Sequence, residues 1–240
     1  MPPIHRFARV DSTMLLAAKL AAEGAPDGTV VVADEQTAGQ GRLGRSWHSE
    51  PGAGLYLTQI LRPTLDPTRL PVITLALGLA TAEAIATSTG VAVDLRWPND
   101  VLVGSKKCAG ILAQLSDGVL LAGIGINVNH TSFPDDIAGL ATSLRLVSGR
   151  EHNPEELLTC LIGTIAEHLE NFFSRGPDPV LRAFTHASSF VQGRRVVAGE
   201  PPTQQRGTTA GLDPGGFLML RRDDGALVRI LAGGVRPECS

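Results

Sequence analysis

The spacing of apolar positions changes several times along the chain, and each change marks an element. Residues 14–20 form an Ala/Leu-rich run between Asp11-Ser12-Thr13 and Gly24, which predicts a capped helix with a glycine stop. The β-branched run 29–33 predicts a buried strand. A glycine-rich loop, 37–46, then leads to a strand over 55–61, and Asp66-Pro67 opens a long apolar helix running from Leu70 to before Gly90. Segments 93–97 and 101–103 read as short strands joined by the turn Pro98-Asn99-Asp100. A loop over 104–107 precedes a strand over 110–115, and Asp117-Gly118 turns that strand into its neighbour, 119–126. Asn153-Pro154-Glu155-Glu156 starts a helix to about Ser174, by its N-cap side chain, first-turn proline and acids at the positive dipole end. A second helix is expected over 179–187. After Phe190 the pattern becomes short β segments at 194–198, 205–212, 217–221 and 227–231, set apart by Gly215-Gly216 and Asp223-Asp224-Gly225.

Strands that pair locally, with helices gathered in separate blocks, predict an α+β fold with a mixed or antiparallel sheet flanked by helices. The closely spaced C-terminal strands predict a small β-barrel. The expected division is a larger domain over residues 1–189 and a small one over 190–240.

Composition narrows the function classes. With 240 residues, 43% of them hydrophobic, the chain can bury a full core and does not read as disordered. A net charge of −3 gives no bias toward nucleic acid or anionic membranes, so any anion site must be a local basic cluster. Cys108, Cys160 and Cys239 are widely spaced without a CxxC, which reads as reduced thiols rather than disulfides or zinc ligands. The six histidines are scattered, none at metal-ligand spacing, and read as structural or surface residues. The N-terminus has no signal-peptide core, and the longest apolar stretch, 72–85, is interrupted by polar residues and reads as too short to cross a bilayer. A cytoplasmic protein is expected.

Three segments carry chemistry. In Gln36-Thr37-Ala38-Gly39-Gln40-Gly41-Arg42-Leu43-Gly44-Arg45-Ser46-Trp47 the glycines let backbone N–H groups converge on an anion, and Arg42 and Arg45 add forked donors for phosphate or carboxylate. The spacing is neither a Walker loop nor a dinucleotide fingerprint, and on spacing alone a flexible surface loop is an equal reading. In Arg96-Trp97-Pro98-Asn99-Asp100, followed by Lys106-Lys107-Cys108-Ala109-Gly110, Asp100 can hold magnesium or accept a proton, and Lys107 can serve as a point charge. Ordinary turn formers and solvated lysines explain the same residues. In Gly123-Ile124-Gly125-Ile126-Asn127 the interleaved glycines imply that something approaches the strand backbone closely.

Taken in order, Asp-Ser-Thr, Gln-Thr-Ala-Gly-x-Gly-Arg-x-Gly-Arg-x-Trp, Trp-Pro-Asn-Asp, Lys-x-Ala-Gly-Ile-Leu and Gly-Ile-Gly-Ile-Asn-Val-Asn resemble the catalytic domain of biotin–protein ligases over residues 11–129. The C-terminal region resembles that family's small SH3-like domain, by strand pattern rather than motif. The resemblance implies an ATP-dependent ligase that forms biotinyl-5'-AMP and transfers biotin to a lysine of a biotin carboxyl carrier protein. It implies that Ser12, Thr13 and Gln36 bind the ureido end of biotin, with Gly39, Gln40, Gly41, Arg42, Lys107 and Gly110 around the rest. Arg42, Arg45, Trp47, Asn99 and Asn127 would hold ATP or the adenylate. Lys107, Arg42, Arg45 and Asp100 would serve the chemistry, with Asp100 also a candidate ligand for Mg2+. Gln40 departs from the family's frequent arginine.

Asp11 lies close to residue 1, so the form without a DNA-binding N-terminal domain is expected, and with it no nucleic-acid or membrane partner. A homodimer through a sheet edge is consistent with the resemblance. The alternatives are a lipoate-type ligase, against which the Gly39 to Arg45 loop and the Trp97 to Asp100 turn weigh, and a non-catalytic biotin-binding protein.

Overall fold

The computed structural model describes residues 2–238, so Cys239 lies outside the described residues. Seven strands form a mixed sheet: β1 (Ile4–Phe7), β2 (Val30–Ala33), β3 (Gly54–Leu61), β4 (Asp94–Arg96), β5 (Asp100–Val103), β6 (Lys106–Ser116) and β7 (Val119–Asn127). Their order is β1-β2-β3-β7-β6-β5-β4. Only β1 and β2 pair in parallel; every other pair is antiparallel. The parallel strand β1 escapes sequence reading because its four residues carry apolar side chains only at the two ends, Ile4 and Phe7.

Alternation along the strands sends side chains to two different cores. Val30 and Val32 of β2, with Leu120, Ala122, Ile124 and Ile126 of β7, join a large cluster. On that face lie α2 (Leu70–Thr89), α5 (Pro154–Arg175) and α6 (Pro177–Ala187); two short helices, α3 (Asp135–Ala138) and α4 (Leu144–Ser148), lie between β7 and α5. On the opposite face α1 (Thr13–Ala22) seals Val31, Ile60, Val119 and Leu121 with Met14, Ala17 and Ala21.

Helix α2 is the centre of the molecule. It is apolar over most of its surface, as a helix between a sheet and a second helix layer must be, with Glu83 and Thr87 on its exposed side. Residues Pro67–Thr89 are long and apolar enough to cross a membrane by length and composition, which corrects the length argument made from the sequence. The segment is a core helix instead, because Ile73, Leu75, Ala76, Leu77, Ala80 and Ile85 are fully buried against the sheet and α5.

The C-terminal strands, β8 (Gln192–Gly199), β9 (Gln205–Leu212), β10 (Leu218–Arg221), β11 (Leu227–Ile230) and β12 (Gly234–Pro237), form an antiparallel sheet in the order β11-β10-β9-β8-β12. The small SH3-like barrel expected here takes the form, among the described residues, of a five-stranded antiparallel sheet consistent with such a domain. The sheet is open because no ladder joins its outer strands, β11 and β12. It rests against the first sheet's hairpin: the buried indole Nε1 of Trp97 donates to Gly216 O at 2.9 Å. Its inward residues Val196, Ala198, Leu218, Leu220, Ile230 and Val235 merge into the α2 cluster.

Candidate functional site

A trough crosses the face of the sheet that α1 covers, and glycines make it. Gly110 of β6 sits opposite Gly125 of β7, and Leu112 opposite Gly123. A Cβ on Gly125 would lie 2.6 Å from the Trp47 indole, one on Gly110 2.9 Å from the same ring, and one on Gly123 2.7 Å from the Met14 sulfur. The close approach implied by the interleaved glycines is therefore real, and side chains of the protein itself make it. Thr13, Met14, Gln36, Gln40, Gly41, Arg42, Trp47, Asn99 and Lys107 complete the lining. The loop between β2 and β3 folds back on itself, with Trp47 N donating to Gly39 O at 2.8 Å and Gly41 N to Arg45 O at 2.7 Å, and so delivers Trp47 onto the glycines.

The Gly123 end is polar. Gln36 Oε1 accepts from Thr13 N at 2.9 Å and from Thr13 Oγ1 at 3.0 Å, and Thr58 Oγ1 donates to Thr13 Oγ1 at 2.9 Å. Ser12 takes the N-cap position of α1 in extended conformation, yet its side chain makes no capping bond. Its hydroxyl is buried without any partner. Burial of an unpaired hydroxyl is costly.

The Gly110 end is charged. The strand β6 begins at Lys106, so Lys107 lies within the ladder and not in the preceding loop, as the sequence had suggested. A register shift between Val101 and Leu102 marks a bulge against β6 there; such bulges re-aim side chains. Lys107 Nζ stands 2.5 Å from Asp100 Oδ1 and 5.2 Å from the centre of the Trp47 ring. Arg96 Nη2 stands 2.7 Å from Asp100 Oδ2. Burial acts to raise the Asp100 carboxyl, but Lys107 and then Arg96 overcome it and hold it below its ordinary value. Asp100 is thus an ionised carboxylate with a cation on each oxygen, an arrangement that suits anchoring Lys107. Arg96 was not singled out from the sequence; the signal is its position directly across the β4–β5 hairpin from Asp100.

Arg42 enters the site from the loop, with Nη1 3.2 Å from Asn99 Oδ1 and 3.3 Å from Gly233 O. Burial lowers its guanidinium from the ordinary value, against the pull of Asp100 and Glu200. Asn99 is fixed in turn by its amide, which donates to Ile111 O at 2.8 Å. Of the residues expected to form the site, Ser12, Gly39, Arg45, Asp100 and Asn127 are not part of the lining. Arg45 is exposed and pairs with Glu200 at 2.7 Å, and Asn127 is buried with its amide donating to Thr142 O at 3.0 Å.

The sequence pattern that defines the "Biotin/lipoate A/B protein ligase family" matches residues 6–130. The chain is 34% identical over 223 residues to the bifunctional ligase/repressor BirA of Bacillus spizizenii, covering 90% of this chain and 68% of that protein. It is 33% identical over 234 residues to the biotin--[acetyl-CoA-carboxylase] ligase of Paracoccus denitrificans, covering 92% and 95%. Among solved structures, the biotin protein ligase from Aquifex aeolicus in complex with biotin and ATP matches with a TM-score of 0.87 and 32% identity, covering 98% of both chains.

Proposed function

The chain belongs to the biotin/lipoate A/B protein ligase family, and from that premise we propose that it is a biotin–protein ligase, joining biotin to the AMP portion of ATP and passing the biotinyl group to a lysine of a biotin carboxyl carrier protein. The observation that carries the assignment of the site is the glycine trough lined by Thr13 and Gln36 toward one end and by Lys107 toward the other; Ser12, next to Thr13, has a buried hydroxyl without a partner. A ureido group offers donors and an acceptor to Ser12, Thr13 and Gln36, the apolar rings and chain lie on glycine backbone, and the carboxylate reaches Lys107.

In the first step a carboxylate oxygen forms a bond to the α-phosphorus and the bond to pyrophosphate breaks. Two anions must meet, and in a water-poor site their repulsion is large. Lys107 and Arg42 offset it, and Asn99 and Asp100 hold those cations in place. Fixed donors of this kind stabilise charge that develops at the transition state. In the second step the acceptor's neutral ε-amine attacks the anhydride carbonyl and AMP leaves with the bonding electrons. Asp100, strongly ionised and a weak proton acceptor, orients the amine in this reading. Trp47 and its loop exclude water from the anhydride. Arg45 and Asn127 would have to turn from Glu200 and Thr142 to reach nucleotide.

Mg2+ is proposed to arrive on the phosphates of ATP, and Asp100, which keeps lone pairs beyond those facing Lys107 and Arg96, stays a candidate ligand for it. We place the division between a catalytic unit, 1–189, and a small C-terminal unit, 190–240, at the start of the second sheet, and the cytoplasm as the site of action. A homodimer through an edge of the seven-stranded sheet would use β1 or β4. Biotin-dependent exchange of labelled pyrophosphate into ATP tests the first step: exchange that needs biotin supports the reading, and exchange that needs lipoate instead, or none at all, contradicts it.

A further inference from the structure

Beyond the trough, the fold gathers three groups that the sequence scatters. Because β3 and β7 pair along their whole length, the chain entering β3 runs beside the chain leaving β7, with Asn129 N donating to Ala53 O at 2.6 Å. That brings His48 and Glu50 beside His130, and the ligand atoms of all three lie within 4.8 Å of one another. The reading of these histidines as unrelated holds for the sequence and not for the fold.

The pocket around His130 is built. The residue is fully buried, its carbonyl accepts from Ser143 Oγ at 2.7 Å, and its ring stacks on Phe133 at 5.0 Å between centroids. Nε2 lies 3.2 Å from Tyr56 Oη, and Tyr56 Oη in turn accepts from Glu50 N at 3.1 Å. Nδ1 is buried and has no partner. One ring nitrogen fixed by a hydrogen-bonding neighbour while the other is unpartnered is the arrangement of a metal-ligating histidine with its outer-shell support.

We propose that His48, Glu50 and His130 form a binding site for a divalent transition metal ion of the zinc or nickel kind, distinct from any magnesium that accompanies ATP. Two imidazoles and a carboxylate are the ligand set such ions take, leaving a fourth position for water or a ligand. Metal–nitrogen bonds of about 2.0–2.1 Å place tetrahedral ligand atoms about 3.3 Å apart, so modest rotation of the half-buried His48 closes the cluster. His48 follows Trp47 directly, so an ion held there ties the loop over the glycine trough to the end of β7. Metal occupancy thereby stiffens the cover of the substrate site.

The test uses the full chain after chelator treatment, titrated with Zn2+ alone by calorimetry and with Co2+ alone by its visible absorption. The expected result is one ion per chain and the intense absorption of low-symmetry, tetrahedral cobalt. Loss of an outer-shell partner alone costs roughly 10–100-fold in affinity, so His48→Ala and Glu50→Gln are each expected to cost about 100-fold or more. His48 and Glu50 lie in the loop, so these variants keep the buried His130 core, and unchanged circular dichroism confirms it. His168→Ala, which removes the exposed His168–Glu83 pair, should leave binding unchanged. Absence of binding at 1:1 stoichiometry, or binding that His48→Ala leaves intact, overturns the site.

Discussion

Lys107 and Asp100 meet at 2.5 Å across the β5–β6 hairpin, both largely shielded from solvent. The pair holds the only ammonium lining the trough, among the described residues, beside the glycines that floor it. Asp100 therefore acts by positioning. Asp100→Asn should lower kcat for adenylate formation by about 10²-fold while changing the KM for biotin by less than about fivefold, in the range seen when a fixed charge-stabilising group is disturbed. Steady-state pyrophosphate-exchange kinetics measure both. An equal loss confined to KM would mean that Asp100 serves binding alone.

The same pair sets a pH dependence. The Asp100 carboxyl is held below its ordinary value despite burial, through Lys107 and Arg96, with Arg42 nearby. A depressed folded-state carboxylate stabilises the fold above its unfolded value of about 3.9 and loses that contribution as pH falls. The stability difference between the native chain and Asp100→Asn should stay level from neutral pH down to about 5 and shrink below about 4. Urea unfolding across this range measures it, and a difference that grows on acidification would refute the coupling.

The glycines of the trough are not equivalent. A methyl group at Gly125 meets the indole of Trp47, whereas one at Gly123 meets the flexible end of Met14. Gly125→Ala should displace Trp47, shifting its fluorescence, and weaken biotin binding by about tenfold or more; Gly123→Ala should cost less, since a methionine tail re-packs readily. Calorimetric binding of biotin to the two variants decides the order, and the reverse order would contradict the placement of Trp47.

Ser12 separates folding from binding. Its hydroxyl is buried, unpaired and not used as a helix cap. Removing an unsatisfied polar group relieves desolvation, so Ser12→Ala should leave Tm unchanged or slightly raised. The lost hydrogen bond should weaken biotin by about 1 kcal/mol, roughly fivefold in Kd. A lowered Tm with unaltered affinity would assign the hydroxyl to the fold.

Local signals were the ones legible in the sequence. Asp66-Pro67 and Gly90 bracket α2, and Asn153-Pro154 starts α5, because caps and breakers act within a turn. The motif residues likewise mark most of the lining, Thr13, Gln36, Arg42, Trp47, Asn99 and Lys107 among them. What could not be read depends on pairing between distant segments. Arg96 supports Asp100 through hairpin register, Arg45 pairs with Glu200 from the turn after β8, and His48 meets His130 because β3 lies against β7. The C-terminal strands of the SH3-like unit were legible because strand count is local, whereas closure depends on whether β11 and β12 pair, and they do not.

The most direct measurement incubates the purified chain with biotin, ATP, Mg2+ and a biotin carboxyl carrier domain, and scores the carrier by intact mass, with Lys107→Ala in parallel. The account predicts one added biotinyl group with the native chain and a rate reduced by about 10²–10³-fold in the variant. An unmodified carrier, or a variant as fast as the native chain, would contradict it.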